Sequence, residues 1–317
     1  MHLAISLGSG SKKSRSNDFR TMRSGPSHSN RMPNRPESDS MTVMRLAFYT
    51  DSYTDRLQLS VPDCFARIAK TGYSGIDESS TFGKAINSSS VSAERRQLIR
   101  EAARQHKLRV EAIVTDAELT ATLGTKEPLD LNASIDLAAE LGSDVVTFHL
   151  GGARPDIPER ELWKQTVSAI KTAATYADMK HIRLAVDLGI WPKWIVSTVD
   201  GLSRLFDDVG SNSFGVNFDP SYLAITGIDP VAFVKRFAAR IRHAHLKDHL
   251  GKYPDWENRI PGQGELGYVP IATALAAAKF DGALAVECFT DMKFEEACDK
   301  GYAAMRAAFD KAGITVK

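Results

Sequence analysis

Residues 241–251 read IRHAHLKDHLG, a short apolar strand that carries histidine, lysine and aspartate side chains. Since alternate side chains of an extended chain share a face, we predict that His243, His245 and Lys247 point to one side. Asp248 falls on the other side, where a structural role is expected. A short apolar strand that ends in polar groups is typical of a binding or catalytic site.

Three other short strands each end at one carboxylate, namely 182–187 (IRLAVD), 214–219 (FGVNFD) and 283–287 (ALAVE). If the four strands are parallel neighbours, their carboxyl ends meet at one edge of the sheet. The side chains expected to converge there are Asp187, Asp219, His245 and Glu287.

The alternation of strand and helix continues outward from these segments. Strands are predicted at 45–50, 74–78, 109–115, 144–149, 182–187, 214–219, 242–247 and 283–288. Amphipathic helices are predicted at 61–71, 92–107, 129–141, 159–179, 198–208, 229–240, 269–279 and 294–312. Eight strand–helix units over about 270 residues favour an α/β fold, a single (β/α)8 TIM barrel. A doubly wound open sheet is the alternative, but no glycine-rich GxGxxG loop follows the first strand.

Residues 1–43 differ in composition, being rich in Ser, Arg, Asn, Gly and Pro, and we predict a disordered extension. A targeting peptide and a later start at Met41 or Met44 are alternatives, so the presence of this segment in the mature protein is left open. Residues 44–317 show no internal linker and are predicted to form one domain.

Composition limits the classes of partner. The chain of 317 residues is 43% hydrophobic and 25% charged, as globular proteins are, and its formal net charge is +1. This charge offers no general attraction to nucleic acid or to a membrane, and no apolar run is long enough for a transmembrane helix. Three cysteines without CxxC spacing argue against disulfides and a zinc–thiolate site, so the cytoplasm is the simplest location. A small-molecule substrate is expected, and homo-oligomerisation is left open.

Carboxylates with one imidazole form an oxygen-rich ligand set that suits Mn²⁺, Mg²⁺ or Co²⁺, with Zn²⁺ as an alternative. Taken singly, each residue has a structural explanation: Asp219 as a helix cap, His245 as a core histidine, Glu287 as a barrel ion pair, Asp187 as a turn residue. Together, at four strand ends of one barrel, they indicate a metal site.

Four motifs carry a family resemblance: NFDPSY (217–222), HAHLKD (243–248), PGQGEL (261–266) and AVECF (285–289). In this order and spacing they resemble the xylose-isomerase-like superfamily of sugar phosphate isomerases and epimerases, from about Met44 to Lys317. The resemblance implies a TIM barrel with a metal quartet on strands five to eight, which falls on Asp187, Asp219, His245 and Glu287. Two positions depart from the family: Asp187 stands where Glu is usual, and Tyr222 where His is frequent.

The function expected from this resemblance is a divalent-metal-dependent isomerase or epimerase of a keto sugar, with manganese as the first expectation. It would abstract a proton next to the carbonyl through a metal-stabilised enediolate. Glu287 is the expected base, with Asp187 as ligand and acid. The expected substrate-binding residues are His149, Lys247, Arg259, Glu78 and Trp191.

Three other functions compete. A metal-dependent lyase or dehydratase of a keto-inositol or 3-keto sugar would share the enediolate and then expel a β-leaving group. An endonuclease-IV-like hydrolase is disfavoured by the near-neutral charge and by the few histidines. A non-catalytic sugar-binding barrel would lack a bound metal.

Overall fold

The computed structural model describes residues 43–80, 91–187, 191–289 and 291–317. The predicted extension over residues 1–43 lies outside these ranges except for residue 43. All statements below concern the described residues.

Eight parallel strands close into a barrel. They are β1 (Arg45–Tyr49), β2 (Gly75–Ser79), β3 (Arg109–Glu118), β4 (Val145–His149), β5 (Arg183–Asp187), β6 (Phe214–Phe218), β7 (Ile241–Leu246) and β10 (Ala283–Val286). Neighbours in the sequence are neighbours in the barrel, and β10 completes the ring between β7 and β1. The predicted TIM barrel is therefore confirmed, and the open sheet is excluded by the pairing of β1 with β10.

Helices follow the strands around the outside of the barrel. They are α1 (Val61–Thr71), α2 (Ala93–His106), α3 (Leu119–Thr122), α4 (Leu131–Leu141), α5 (Glu159–Lys180), α6 (Val199–Val209), α7 (Pro220–Ile225), α8 (Pro230–Phe237), α9 (Tyr268–Ala277) and α10 (Phe294–Lys311). Ser60 and Ser92 cap α1 and α2 through their side chains, as the sequence signals indicate. No helix in the described ranges is both long and apolar enough to cross a bilayer.

The core contains two groups of buried side chains, one of large residues and one of small residues. Large residues such as Leu46 and Phe48 point outward from the strands and pack against the helices. Small residues such as Ala47 and Ala285 form separate buried clusters. This division follows from the alternation of side chains along each strand.

A hairpin that was not predicted follows β7. Its strands, β8 (Asp248–Lys252) and β9 (Asp255–Arg259), pair antiparallel outside the barrel. The hairpin carries two of the predicted motif segments, the end of HAHLKD and the arginine before PGQGEL. It projects from the end of the barrel at which the predicted site lies.

Candidate metal centre and active site

The four predicted ligands come from successive strand ends. Asp187 is the last residue of β5, Asp219 follows β6, His245 lies near the end of β7 and Glu287 follows β10. Asp187, Asp219 and His245 are almost fully buried, whereas the Glu287 side chain is 14% exposed. The parallel barrel therefore brings the quartet to one end, with Glu287 nearest to solvent.

His245 is the centre of the cluster. Its Nδ1 atom lies 3.3 Å from Asp187 Oδ2 and 3.3 Å from Glu287 Oε2. Its Nε2 atom lies 3.2 Å from Oδ2 of Asp77, on β2. If Nε2–H donates to Asp77, the lone pair of Nδ1 is directed toward Asp187 and Glu287, which is the arrangement of a metal-ligating histidine oriented by a carboxylate.

Asp77 also binds a deeper histidine. Its Oδ2 atom lies 2.7 Å from His243 Nε2, so Asp77, His243 and His245 place their polar atoms within 4.8 Å of one another. This triad is itself a possible metal site. All three residues are buried to 1% exposure or less, however, while a catalytic metal keeps a position open to substrate. Glu287, on the other side of His245, has the solvent access that such a position requires.

Lys247 lies among the carboxylates. Its Nζ atom contacts Asp219 Oδ2, lies 2.5 Å from Glu287 Oε2 and lies 3.8 Å from the centre of the Tyr222 ring. Burial alone would lower the pKa of Lys247, but the charges of Asp219 and Glu287 outweigh it and hold the pKa well above its usual value. Lys247 is therefore a charged group inside the site.

Asp219 has two sets of contacts. Its Oδ1 atom accepts hydrogen bonds from the backbone N–H groups of Ser221 at 2.9 Å and Tyr222 at 3.0 Å, which caps helix α7. Its Oδ2 atom faces Lys247. Burial, followed by the charges of Glu287 and Asp187, raises the pKa of Asp219 to about 6 in spite of the opposing effect of Lys247. The Asp219 side chain therefore both caps helix α7 and contacts Lys247 in the site.

The cluster has the composition of a cation site. Three buried carboxyl groups (Asp77, Asp187 and Asp219) and the partly exposed Glu287 lie in this cluster, and the Lys247 ammonium pairs with two of the four, Asp219 and Glu287. Asp187 Oδ1 and His245 Nδ1 are buried without an aligned hydrogen bond to any described residue. Burial would lower the pKa of His245, but the neighbouring carboxylates of Asp187, Asp77 and Glu287 raise it well above its usual value. A proton held between an imidazole and carboxylates occupies a place that suits a divalent ion, and these ligands bind metal in deprotonated form.

The remaining predicted residues lie in different settings. His149 pairs in register with Asp187 and packs edge-on against Trp194, with 6.5 Å between ring centres. Glu78 is fully buried and accepts a 2.8 Å hydrogen bond from Thr50, and no described contact links it to the quartet. Arg259 lies on β9 and pairs with Glu257.

Trp191 belongs to a group of aromatic residues beside Lys247. Its ring centre lies 5.1 Å from that of Tyr222 and 5.0 Å from that of Trp256. Four substrate-binding residues were predicted in addition to Lys247. Of these, Trp191 is connected to the Lys247 ammonium through one intervening ring, that of Tyr222.

Asp248 fixes the glycine turn. Its Oδ2 atom accepts 3.0 Å hydrogen bonds from the N–H groups of Gly262 and Gly264, and its Oδ1 atom accepts one from Leu266. A Cβ on Gly264 would overlap Asp248, which explains the glycine. The structural role expected for Asp248 matches these contacts.

Sequence reasoning missed Asp77 and the contact between His243 and Asp77. The sequence predicts a strand at 74–78, and the expected site residue on it is Glu78, its last residue. The available signal was alternation, because only one of two adjacent acidic residues can point into the barrel.

Comparisons with known proteins agree with this architecture. The family model described as xylose isomerase-like TIM barrel matches residues 65–308. An inosose dehydratase of Clostridium perfringens strain 13 is 25% identical over 146 residues, which cover 41% of this chain and 48% of that protein. The chain thus matches about half the length of this relative.

Two solved structures share the fold over most of the chain. A crystal structure of D-psicose 3-epimerase in the presence of D-fructose has a TM-score of 0.69 at 16% identity, covering 85% of this chain and 100% of the other. The IOLI protein, in a crystal structure with a bound zinc atom, has a TM-score of 0.67 at 16% identity, covering 85% and 99%. Given the barrel, its converging strand ends and the family match over residues 65–308, this chain belongs to the xylose isomerase-like TIM barrel family.

Proposed function

We propose that this protein is a divalent-metal-dependent isomerase or epimerase of a keto sugar or sugar derivative. The observation that carries the proposal is the placement of the Asp187 and Glu287 carboxylates, each 3.3 Å from His245 Nδ1. Two carboxylates about one ligand nitrogen supply both metal ligands and acid–base groups. The similarity to D-psicose 3-epimerase and inosose dehydratase supports a carbohydrate substrate.

Glu287 is the proposed base. It is the most exposed of the four quartet side chains, so a substrate entering from solvent meets it first. The Lys247 ammonium, 2.5 Å from Glu287, would pair with a substrate oxygen as negative charge develops there and so favour removal of the neighbouring proton. Asp187, which faces the same nitrogen of His245, would return a proton to the opposite face of the substrate to give the epimer.

Asp187, Asp219, His245 and Glu287 are the residues that would hold the metal. When bound, a divalent ion would act as a Lewis acid that stabilises an enediolate and as a template for a carbonyl and its adjacent hydroxyl. The oxygen-rich set favours manganese, with magnesium, cobalt and zinc as alternatives. Asp77 and His243 would orient His245 rather than contact substrate.

A second candidate is a lyase that removes water or an alcohol from a keto-inositol or 3-keto sugar. The similarity to inosose dehydratase favours it. So does the fixed position of Asp187, whose Oδ2 atom accepts a 3.0 Å hydrogen bond from Asn217. An aspartate held in this way has less reach than glutamate toward a second face of the substrate, whereas elimination can use one carboxyl group, which removes the proton and then delivers it to the leaving oxygen.

Incubation of the metal-loaded protein with a panel of ketoses and keto-inositols in D₂O separates these candidates. An isomerase or epimerase incorporates deuterium and conserves the carbon skeleton and its oxygens, whereas a lyase gives a product lighter by water or an alcohol. Glu287→Gln is expected to abolish either reaction, and Asp144→Asn, at a partly buried ion pair with Arg109 and Arg183, serves as the control. If no substrate shows either deuterium exchange or elimination, both candidates are rejected.

A further inference from the structure

Four aromatic side chains pack against one another beside the site, and we call this group the aromatic platform: Trp191, Tyr222, Tyr253 and Trp256. Trp191 and Trp256 stack with 5.0 Å between ring centres and 26° between ring planes. Tyr253 stacks on Trp256 at 6.0 Å and 26°. The hairpin of β8 and β9 supplies the last two residues, so the platform depends on an element outside the barrel.

The platform begins at the proposed reaction centre. Tyr222 lies under the Lys247 ammonium, 3.8 Å from ring centre to Nζ, and Trp191 packs on Tyr222 at 5.1 Å. The other end is open, since Tyr253 is 47% exposed. A molecule that reaches Glu287, beside Lys247, and extends along these rings would therefore run from the carboxylates toward solvent.

A cavity of about 320 Å³ adjoins the outer end of the platform. Tyr253 forms one wall, and Ser197, Thr226 and Lys252 contribute polar groups. This volume is within the usual range for small-molecule pockets, which combine apolar and aromatic walls with a few polar groups.

Aromatic rings in such an arrangement, with Tyr253 exposed and the other three partly buried, indicate a ligand with a flat apolar face. A pyranose presents carbon-bound hydrogens on its faces and hydroxyls on its edges, and a phenyl group presents its ring plane. Both pack on Trp and Tyr while the hydroxyls remain free for hydrogen bonds. The platform offers only four rings, whereas a stable protein interface buries about 800 Å² per partner, so a ring-sized ligand fits it better.

We infer that the aromatic platform is a subsite for a second ring, joined by a glycosidic bond to the keto sugar that reacts at Glu287. The protein would then act on glycosides rather than on free monosaccharides. This inference rests on the proposed function for the identity of the reacting ring. The recognition itself is a matter of stacking and does not depend on turnover.

The test is calorimetric binding of unreactive probes to the manganese-loaded protein. Methyl β-D-glucopyranoside presents one ring, phenyl β-D-glucopyranoside adds an aromatic ring, and cellobiose adds a sugar ring. The phenyl glucoside or cellobiose is expected to bind about three- to tenfold more tightly than the methyl glucoside, a gain typical of one aromatic stacking contact. Whichever of the two shows the gain identifies the kind of second ring.

Variants at the platform make the test specific. Trp256→Ala and Tyr253→Ala are expected to bring the affinity ratio of two-ring to one-ring probes close to one. Tyr176→Ala, at a half-buried tyrosine on α5 that binds Asp136, is the matched control and should keep the ratio of the unchanged protein. Equal affinities for all three probes in the unchanged protein would overturn the inference. A shift from dimer to monomer in Trp256→Ala with an unchanged probe ratio would also overturn it and assign the platform to a subunit contact.

Failure of the proposed function is distinguishable from failure of the subsite. The 3-keto derivatives of the same probes are offered as substrates. If the protein binds the two-ring probes more tightly but turns over none of the 3-keto derivatives, the subsite is supported and the isomerase is rejected. Turnover of 3-keto methyl glucoside and 3-keto cellobiose with the same kcat/KM, together with equal binding, would overturn the subsite and keep the isomerase.

Discussion

Asp77 Oδ2 lies 3.2 Å from His245 Nε2, so a carboxylate on β2 orients the imidazole that faces Asp187 and Glu287 with its other nitrogen. This contact joins opposite parts of the barrel sequence, 168 residues apart. Because partners of metal-bound histidines tune both orientation and basicity, Asp77 is expected to control metal affinity without being a ligand.

Asp77→Asn is predicted to weaken metal binding about 10- to 100-fold while the barrel remains folded. Asparagine has the size of aspartate and can accept a hydrogen bond, but it lacks the charge that supports the imidazole. Competition with a fluorescent chelator measures the dissociation constant, with Asp144→Asn as the control. If the deeper triad held the metal instead, His243→Asn would release it as fully as Glu287→Gln does, and we expect His243→Asn to retain it.

Lys247→Met is predicted to make thermal stability strongly dependent on metal. Removing one partner of a buried ion pair costs about 3–5 kcal/mol, because Asp219 and Glu287 lose their compensating charge. A divalent ion would restore positive charge beside them. The rise in Tm on adding Mn²⁺ should therefore be larger in Lys247→Met than in the unchanged protein, as measured by scanning calorimetry with and without EDTA. Lys252→Met, on the exposed hairpin, should show the ordinary rise, and equal rises in all three proteins would contradict the prediction.

Stability is predicted to fall between about pH 5 and pH 8 because of Glu78. Burial, with a contribution from the charge of Asp55, raises the pKa of Glu78 from 4.5 to about 8. Between these values the folded protein keeps a proton that the unfolded chain has released, so rising pH favours unfolding until the folded pKa is passed.

Glu78→Gln removes this ionisation and can keep the hydrogen bond with Thr50. The Tm of the variant should change less than that of the unchanged protein between pH 5.5 and 8.5. At pH 8 the variant should be more stable by on the order of 4 kcal/mol, since the pKa of Glu78 rises from 4.5 to about 8 and each unit corresponds to about 1.4 kcal/mol. Glu101→Gln, at an exposed position on α2, is the control. Parallel pH profiles for Glu78→Gln and the unchanged protein would refute this role of Glu78.

Gly264→Ala is predicted to destabilise the protein by about 1–3 kcal/mol, because the new methyl group would overlap Asp248 and the carbonyl of His249. Gly267→Ala is the matched control, since the nearest atom to its added Cβ would be 3.8 Å away. Urea unfolding followed by circular dichroism compares the two. A Gly264→Ala variant as stable as Gly267→Ala would show that Asp248 does not constrain the turn.

The barrel could be predicted because it depends on local regularities. Each strand is a short apolar run, and each helix shows a helical period of apolar residues with its own start and stop signals. The eightfold alternation can therefore be predicted without knowledge of distant contacts. The convergence of Asp187 and Asp219 follows from that topology, since the ends of parallel strands share one face of the barrel.

The contacts that decide the chemistry of the site are not local. Nothing near Lys247 in the sequence indicates that its ammonium contacts Asp219 and Glu287, and it was expected only to bind substrate oxygens. Tyr222 was recognised as a departure from the family, but its position under Lys247 requires the structure. The hairpin was missed because Gly251 interrupts the alternation of its short first strand, and Pro254 lies in the turn between the strands.

The double use of Asp219 restricts how this protein can change over evolutionary time or in the laboratory. A substitution there alters the start of α7 and the electrostatics beside Lys247 in one step, so it cannot be compensated at either place alone. Asparagine at this position keeps the helix cap and loses the charge. Glutamate keeps the charge but has a longer side chain at the cap, and alanine loses both the cap and the charge. New substrate preferences are therefore more accessible through the hairpin and its aromatic residues, which can vary without disturbing the strand ends.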